Sequence, residues 1–574
     1  MNKKWIIQSV PTLADVEKLK DELRVNDIIA KLLLQKGIDS KEKAEQFLRP
    51  KLTDLHDPFL MKDMNQAVEL VNKTILNTGK ILLFGDYDVD GTTAVSLMYM
   101  SLSTHFSEIA YYIPDRYTEG YGISKKGIDF AIENNFSLII SLDCGIKSVD
   151  LIKYARENGV DFIVCDHHQT GEEIPDCIVL DPKRWDCGYP FKELSGCGVG
   201  FKLLQALYST NNWKEDDLFQ HLDLVAISIG ADIVSVTGEN RILAKFGLKK
   251  LNESPRTAFK ELIELSGKNF PLNLTDVVFT IAPRINAAGR LRSGKFAVDL
   301  MVSTNHDEMV QIAEEINQDN KNRREIDKQI TEEALQKIEG DSSFHLKKST
   351  IVYDPNWHKG VVGIVASRLI EKHYRPTIVL TKSNGLITGS ARSISDFNLY
   401  DAIDSCSDLL EQFGGHEHAA GLTLKEENLE RFMEQFDSIV QSKMGIHNQY
   451  PIQTIDLEIN FDELFLPHEN RTKIPRLKTI LEYFEPHGPG NMKPVFVTKN
   501  LFTKSSRVLK ENHLKIECIQ PNYDLVMEAI GFNLVDKENL VAKGLPFQMA
   551  YSLEINSFRD RQTLQFNVKD IREQ

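Results

Sequence analysis

From about residue 78 the chain alternates short apolar, β-rich runs with helical patterns: KILLFG, TTAVSLMYMSLST, EIAYYIP, KKGIDFAIEN, SLIISLDCG, KSVDLIKYAREN and DFIVCDHH. Strand runs that are apolar on both faces need cover from both sides, which crossover helices supply. The pattern therefore predicts an α/β domain on a doubly wound parallel sheet. In such sheets ligands gather beyond the carboxyl ends of the strands. Those ends carry acids and histidines here. Asp86, Asp88 and Asp90 follow ILLFG, Asp143 follows LIISL, and Asp166, His167 and His168 follow FIVC. Asp232 closes a helical stretch in SIGADIV.

Three chemistries compete for FGDYDVDGTT. A calcium loop would need a bidentate glutamate at its twelfth position, where Leu97 stands, and its flanks would not read strand then helix. The DxDGT of aspartyl-phosphate phosphatases needs a strand running directly into Asp88, but Gly85, Asp86 and Tyr87 intervene, and CDHHQT is left without a role. Capping of a helix starting near Thr92 would use one or two carboxylates, and three at period two carry more charge than a cap requires. Clustered carboxylates repel and stay close when a cation neutralises them, so a metal site is favoured. Carboxylate and imidazole donors without thiolates suit Mn²⁺ or Mg²⁺, the imidazole tilting the choice to Mn²⁺. One bridging carboxylate can hold two ions about 3.5–4 Å apart, an arrangement suited to phosphoester cleavage.

At 574 residues the chain exceeds a single core and is expected to form three or four domains. The segment 1–55 reads as helical, 56–300 as the α/β domain, 301–345 as a connecting helix, and 346–445 as a second α/β unit starting at STIVYDPNWHKG. Residues 446–574 change to short strand-like runs such as PVFVTK, HLKIECI and TLQFNVKDI, which predict a small antiparallel barrel. A net charge of −15 opposes bulk electrostatic coating of nucleic acid, so such binding would use local basic grooves. Seven scattered cysteines without a CxxC pair exclude a disulfide framework and a zinc knuckle. No run of about 18 apolar residues offers a membrane span, and MNKKWIIQSVPTLADVEKL lacks an export signal, so a cytoplasmic location is expected.

At the acidic motifs the sequence resembles the DHH phosphoesterases, and within them the RecJ branch of single-strand-specific exonucleases. GDYDVDGTT, SLDCG, CDHHQT and GADIVSVTGENR are similar to that family's four motifs. The likeness extends through YIPDRYTEGYG, LSGCGVGFKL, APRINAAGRL, WHKGVVGIVASRL, GSARS and EPHGPGNMKPVF, while FGGHEHAAG resembles the motif of a DHHA1 domain. The last segment is similar to the family's OB-fold. The resemblance implies a DHH and a DHHA1 domain joined by a long helix, with an OB barrel behind them. It also implies a metal-dependent exodeoxyribonuclease cutting single-stranded DNA from 5′ to 3′ in recombination and repair. Two Mn²⁺ or Mg²⁺ ions are expected, with a monomeric chain and a helicase or single-strand-binding protein as partner. Two rivals remain: a DHH phosphodiesterase for cyclic dinucleotides or short RNA, whose chains are shorter and lack the barrel, and a non-catalytic single-strand scaffold, against which the intact Asp and His set argues.

Carried over residue by residue, the resemblance makes Asp88, Asp90, Asp143, His167 and Asp232 metal ligands, with Asp143 bridging and Asp86 assisting. It makes those five, with His168 at the scissile phosphate, the catalytic set. Many relatives carry histidine where Phe84 stands, so the first ion lacks that donor here. Fixed cations are needed where phosphate charge develops, and arginine grips phosphate bidentately. Arg116, Arg284, Arg290 and Arg392 are the candidates, with Asn286, Ser390 and His416 as further donors. In the barrel, Lys504, Arg507, Lys510, Lys515, Phe502 and Phe558 are candidates for a single-strand groove.

Overall fold

The computed structural model describes residues 3–444, 450–465, 469–470, 474–558 and 561–574. The chain opens with a strand, β1 (Lys4–Ile7), and then forms a five-stranded sheet from β2 (Lys80–Gly85), β3 (Ile109–Tyr112), β4 (Phe136–Leu142), β5 (Asp161–Cys165) and β6 (Ile178–Leu180). Its order is β3-β2-β4-β5-β6 and every pairing is parallel. Ile81, Leu83, Leu138 and Ile140 face one apolar cluster, while Leu82, Phe84, Ile139 and Phe162 face another. Both faces are thus buried, which is why these strands read as continuous apolar runs.

The helix His306–Gly340, 35 residues and roughly 50 Å long, leads to the second unit. There β7 (Thr350–Tyr353), β8 (Thr377–Ser383), β9 (Leu386–Arg392), β10 (Gln412–His416) and β11 (Ala419–Leu424) form a sheet of order β10-β11-β9-β8-β7, parallel only between β7 and β8. Beyond β12 (Ile452–Ile455) and β13 (Leu457–Glu458), the C-terminal unit comprises β14 (Phe496–Leu509), β15 (His513–Ile519), β16 (Val526–Gly531), β17 (Phe547–Phe558) and β18 (Arg561–Glu573). Pairing runs β14-β15-β16-β18-β17 and returns to β14, closing the barrel.

Two expectations need correction. The barrel is not wholly antiparallel, because β16 pairs with β18, and β13 with β14, in parallel. Nor is the N-terminal segment only helical: β1 pairs in parallel with β12, and Val16, Leu19, Ile28, Ile29 and Leu33 of the first helices share an apolar core with Leu457, Phe484, Leu514 and Phe547. Short amphipathic helices cannot bury their apolar stripe alone, and these use the barrel's flank. Among the described residues no helix is long and apolar enough to cross a membrane.

Candidate metal centre

The acidic residues meet because the first domain's strands end together. β2 stops at Gly85, and the chain turns through Asp86 and Tyr87 into the helix Val89–Leu102, so the helix starts earlier than Thr92. Asp88 is its N-cap, accepting from Gly91 N at 3.1 Å. A Cβ on Gly91 would lie 2.5 Å from the Asp86 carbonyl oxygen, so only glycine lets the helix start this close to the strand end. Asp143 follows β4 in a left-handed conformation, φ 63°, its N–H still bonded to Cys165 O at 2.9 Å. Such backbone strain, of order 1–3 kcal/mol, is maintained where the surroundings fix it, often at functional sites.

His167 is the hub. Its Nε2 lies 3.2 Å from Asp143 Oδ1, 3.5 Å from Asp232 Oδ2 and 3.8 Å from Asp90 Oδ2. Two donor groups suited to one ion each are present, Asp90–His167–Asp232 and Asp143–His167–His168, and they share His167. The buried atoms Asp86 Oδ2, Asp143 Oδ1, His167 Nδ1 and His167 Nε2 have no hydrogen-bond partner. A buried carboxylate or imidazole without a partner is costly, and a cation would give Asp143 Oδ1 and one His167 nitrogen a partner. The residues present therefore fit a divalent ion.

Electrostatics agree. Burial pushes Asp143 well above the usual carboxylate range, with Asp90, Asp88 and Asp232 adding repulsion. Burial and Asp88 do the same to Asp86, burial and Asp90 raise Asp88, and burial with Asp90 and Asp88 raises Asp232. Burial lowers His167, keeping it neutral and able to ligate. Asp90 differs in being fully engaged: Gly196 N at 2.7 Å, Cys197 N at 2.8 Å and Ser228 Oγ at 2.6 Å all donate to its carboxylate. It is anchored at the N-terminus of the helix Gly196–Thr210, where partial positive charge favours an anion.

Asp166 is a scaffold. Its carboxylate accepts from the backbone of Ile146, His167 and His168 and, at 2.7 Å, from His168 Nδ1. Burial opposes its ionisation, but these bonds, with His168's foremost, hold it at about 2. Burial likewise opposes a charge on His168, yet the Asp166 bond and charge prevail and lift it to about 9. His168 Nε2 lies 3.1 Å from the hydroxyl of Tyr121. Phe84 is fully buried and stacked on Tyr112 with ring centroids 5.3 Å apart, so it supplies core packing where a histidine would supply a donor.

Across from the acids lies a basic face. Arg116 sits over the Tyr87 ring at 5.0 Å, Arg290 Nη1 donates to Gly360 O at 2.8 Å, and Arg392 Nη1 donates to Ser390 Oγ and Ala391 O, each at 2.8 Å. All these partners are neutral. Burial lowers Arg290 to about 10, helped by the charges of Arg116, Arg323 and Arg392. Asn286 is half-buried and shares a helical face with Arg290, four positions on. His416 is exposed at the end of β10, and partial burial, then His418 and Arg392, lower its pKa. A cavity of about 370 Å³ lies between Lys147 on the first domain and Asn398, Tyr400, Gly414 and His416 on the second.

Arg284 is not brought to this face. It lies nearly opposite Asn286 around the helix Ala282–Leu291, and its guanidinium is buried against Asn317 Oδ1 and Thr280 O at 3.1 and 2.7 Å. In the barrel Lys504, Arg507 and Lys510 are exposed, Lys515 pairs with Glu528 at 2.9 Å, and Phe502 is half-buried. The side chain of Phe558 lies outside the described residues. A larger cavity of about 660 Å³, lined by Phe246, Leu272 and Pro486, contains none of these site residues. Sequence reasoning missed Ser228 and Tyr121. Both are common residue types whose roles depend on contacts 138 and 47 positions away.

Comparison with known proteins agrees with this geometry. Three family models match: the DHH family N-terminal domain over 80–229, the DHHA1 domain over 347–442 and the RecJ OB domain over 455–570. The chain is 36% identical over 571 residues to the single-stranded-DNA-specific exonuclease RecJ of Bacillus subtilis, covering 99% of this chain and 70% of that protein. It is 31% identical to the protein of that name from Escherichia coli, covering 95% of each. RecJ from Thermus thermophilus, solved in complex with Mn²⁺, superposes with a TM-score of 0.85 at 25% identity, over all of this chain and 80% of that one. An exonuclease RecJ solved bound to manganese gives a TM-score of 0.59 at 29% identity, over 68% of this chain and 96% of the other. The chain belongs to the RecJ family of single-stranded-DNA-specific exonucleases.

Proposed function

We propose that this protein hydrolyses phosphodiester bonds of single-stranded DNA inward from the 5′ end, using two Mn²⁺ or Mg²⁺ ions, in recombination and repair. The observation that carries the reading is the set of partnerless buried donors on Asp86, Asp143 and His167 facing arginines whose partners are all neutral. A phosphodiester between two cations and an arginine-lined wall would satisfy both sides. Asp88, Asp90, Asp143, His167 and Asp232 would hold the ions, with Asp86 supporting. When bound, the ions supply Lewis acidity toward a phosphoryl oxygen and acidify an attacking water.

The chain's own groups orient the reaction. Three donors fix Asp90, and the bond from Asp143 N to Cys165 O holds the backbone of Asp143, so neither needs to reorganise far as charge develops. His168, locked by Asp166 through Nδ1, directs Nε2 as a donor to a phosphate oxygen. Arg116, Arg290 and Arg392, with Asn286, Ser390 and His416, bind the phosphates of the strand end. The polarity, the monomeric state, a helicase or single-strand-binding partner and a cytoplasmic location follow from the family resemblance.

The test uses single strands labelled at the 5′ or the 3′ end, incubated with Mn²⁺, Mg²⁺ or chelator. Stepwise release of 5′-labelled mononucleotide with either ion, absent with chelator and absent in Asp143→Asn, supports the reading. Unchanged cleavage in excess chelator overturns it.

A further inference from the structure

Two exposed apolar side chains stand on segments adjoining the metal centre, each on backbone that is held in place. The first is Trp185, 83% exposed, in the loop that follows β6. Beside it Arg184 is buried, its guanidinium bonded to Asp63 at 2.6 Å, to Val179 O at 2.7 Å and to both oxygens of Asp186 at 3.0 Å. Lys183 N donates to Asp181 Oδ1 at 2.7 Å. The loop is therefore pinned, yet it presents the largest side chain type to solvent. The loop leaves β6 at the sheet's carboxyl edge, where Asp166 N donates to Leu180 O at 3.0 Å, so it starts beside the residues of the centre.

The second is Ile233, directly after Asp232. It is 66% exposed and holds φ 59°, a left-handed conformation that a β-branched residue rarely adopts. Glycine or asparagine would sit there at lower cost, and an exposed isoleucine gains little packing in return. Its neighbours fix the strain: Asp232 N donates to Ser228 O at 2.9 Å, and Val236 N to Pro489 O at 2.7 Å. Strained backbone carrying an exposed apolar group next to a metal ligand has the character of a built contact surface.

We propose that Trp185 and Ile233 are stacking surfaces for nucleobases of the strand segment adjoining the scissile phosphate, with Lys183 on that segment's backbone. The inference rests on the single-strand nuclease reading above and names how that site selects its substrate class. Unpaired bases offer a free π-face that an indole or an aliphatic wedge rewards, and every base has one, so the contact is independent of sequence. Bases in a duplex are already stacked and would have to be parted first. The first loop leaves the sheet edge that carries the centre, the second follows Asp232 directly, and Lys183 adds a positive charge to the first.

The test compares wild type, Trp185→Ala, Ile233→Gly and Lys183→Gln for binding of a fluorescent long single strand in chelator, and of the same strand made abasic near its 5′ end. The apolar variants are each expected to bind the intact strand about tenfold more weakly, as stacking of one base predicts. Abasic residues should weaken wild type similarly and erase its advantage over those two variants. Lys183→Gln should weaken both strands equally and reduce the salt slope by about one. Ile233→Gly relieves the left-handed strain, so its melting temperature should hold or rise, which separates a lost contact from a lost fold. Wild-type affinity of the apolar variants for the intact strand would overturn the proposal, as would the same loss on the abasic strand. In parallel, wild type that cleaves single strands while these variants bind normally refutes this inference alone. Wild type that cleaves no single strand refutes the reading beneath it.

Discussion

Gly196 joins the two halves of the metal centre, and adding one methyl group there tests how tightly the geometry is set. Its N–H holds Asp90 Oδ2 at 2.7 Å, and the next N–H, of Cys197, holds Oδ1 at 2.8 Å. On its other side a Cβ would fall 2.6 Å from Asp143 Cβ and Oδ1, where ordinary contact begins near 3.4 Å. In Gly196→Ala one side must therefore retreat by roughly 0.8 Å, comparable to the 1 Å displacement that can cost about 100-fold in rate. Asp143 has little slack, since its N–H is held by Cys165 O at 2.9 Å, and moving the helix start carries Asp90 with it. Overpacking of this kind costs about 1–3 kcal/mol, small for a core of this size. Single-turnover degradation of a 5′-labelled strand at saturating Mn²⁺ should fall about 100-fold, with a modest change in melting. Gly198→Ala is the control, because its Cβ would meet only Ser195 and Leu194, at 3.3–3.5 Å. Turnover of Gly196→Ala within threefold of wild type would refute the claim that the two carboxylates are held to sub-ångström tolerance.

Removing metal at neutral pH should lower the melting temperature, because the raised carboxylates of the centre then repel. Restoring Mn²⁺ to about 100 times its Kd should return roughly 2.7 kcal/mol, read by denaturant titration. Burial holds His487 at about 3. The unfolded chain binds this proton below about 6.5 and the folded chain does not, so stability is lost as pH falls from about 6.5 toward 3. His487→Gln should flatten that slope in melting curves. The ammonium of Lys202 is fully buried, 3.0 Å from Glu239 and 2.7 Å from His56 O and Gln205. Lys202→Met strands the Glu239 charge and should cost about 3–5 kcal/mol in urea unfolding. Truncation after Met444 should expose Ile28, Leu32 and Leu33, which share the barrel's core, and produce dye-binding, aggregation-prone protein.

Much of this protein was legible as sequence because the relevant signals are local. Apolar runs ending in Asp86, Asp143 and His167 specify a parallel sheet with acids at its carboxyl edge, since strand period and crossover geometry leave few alternatives. The long helix and the change to short strands at the C-terminus were equally visible. What the sequence could not show depends on which side of an element meets a distant one. Arg284 and Arg290 carry the same charge six positions apart, but one turns toward Asn317 and the other toward Gly360. The three donors to Asp90 come from residues more than 100 positions away, and β1 finds β12 across some 450 residues. Residue type and spacing determined the donors and the sheet. The orphaned atoms of His167 and Asp143, the neutral partners of the arginines and the exposed strain at Ile233 were decided only by tertiary packing, because desolvation and contact depend on neighbours that chain order does not reveal.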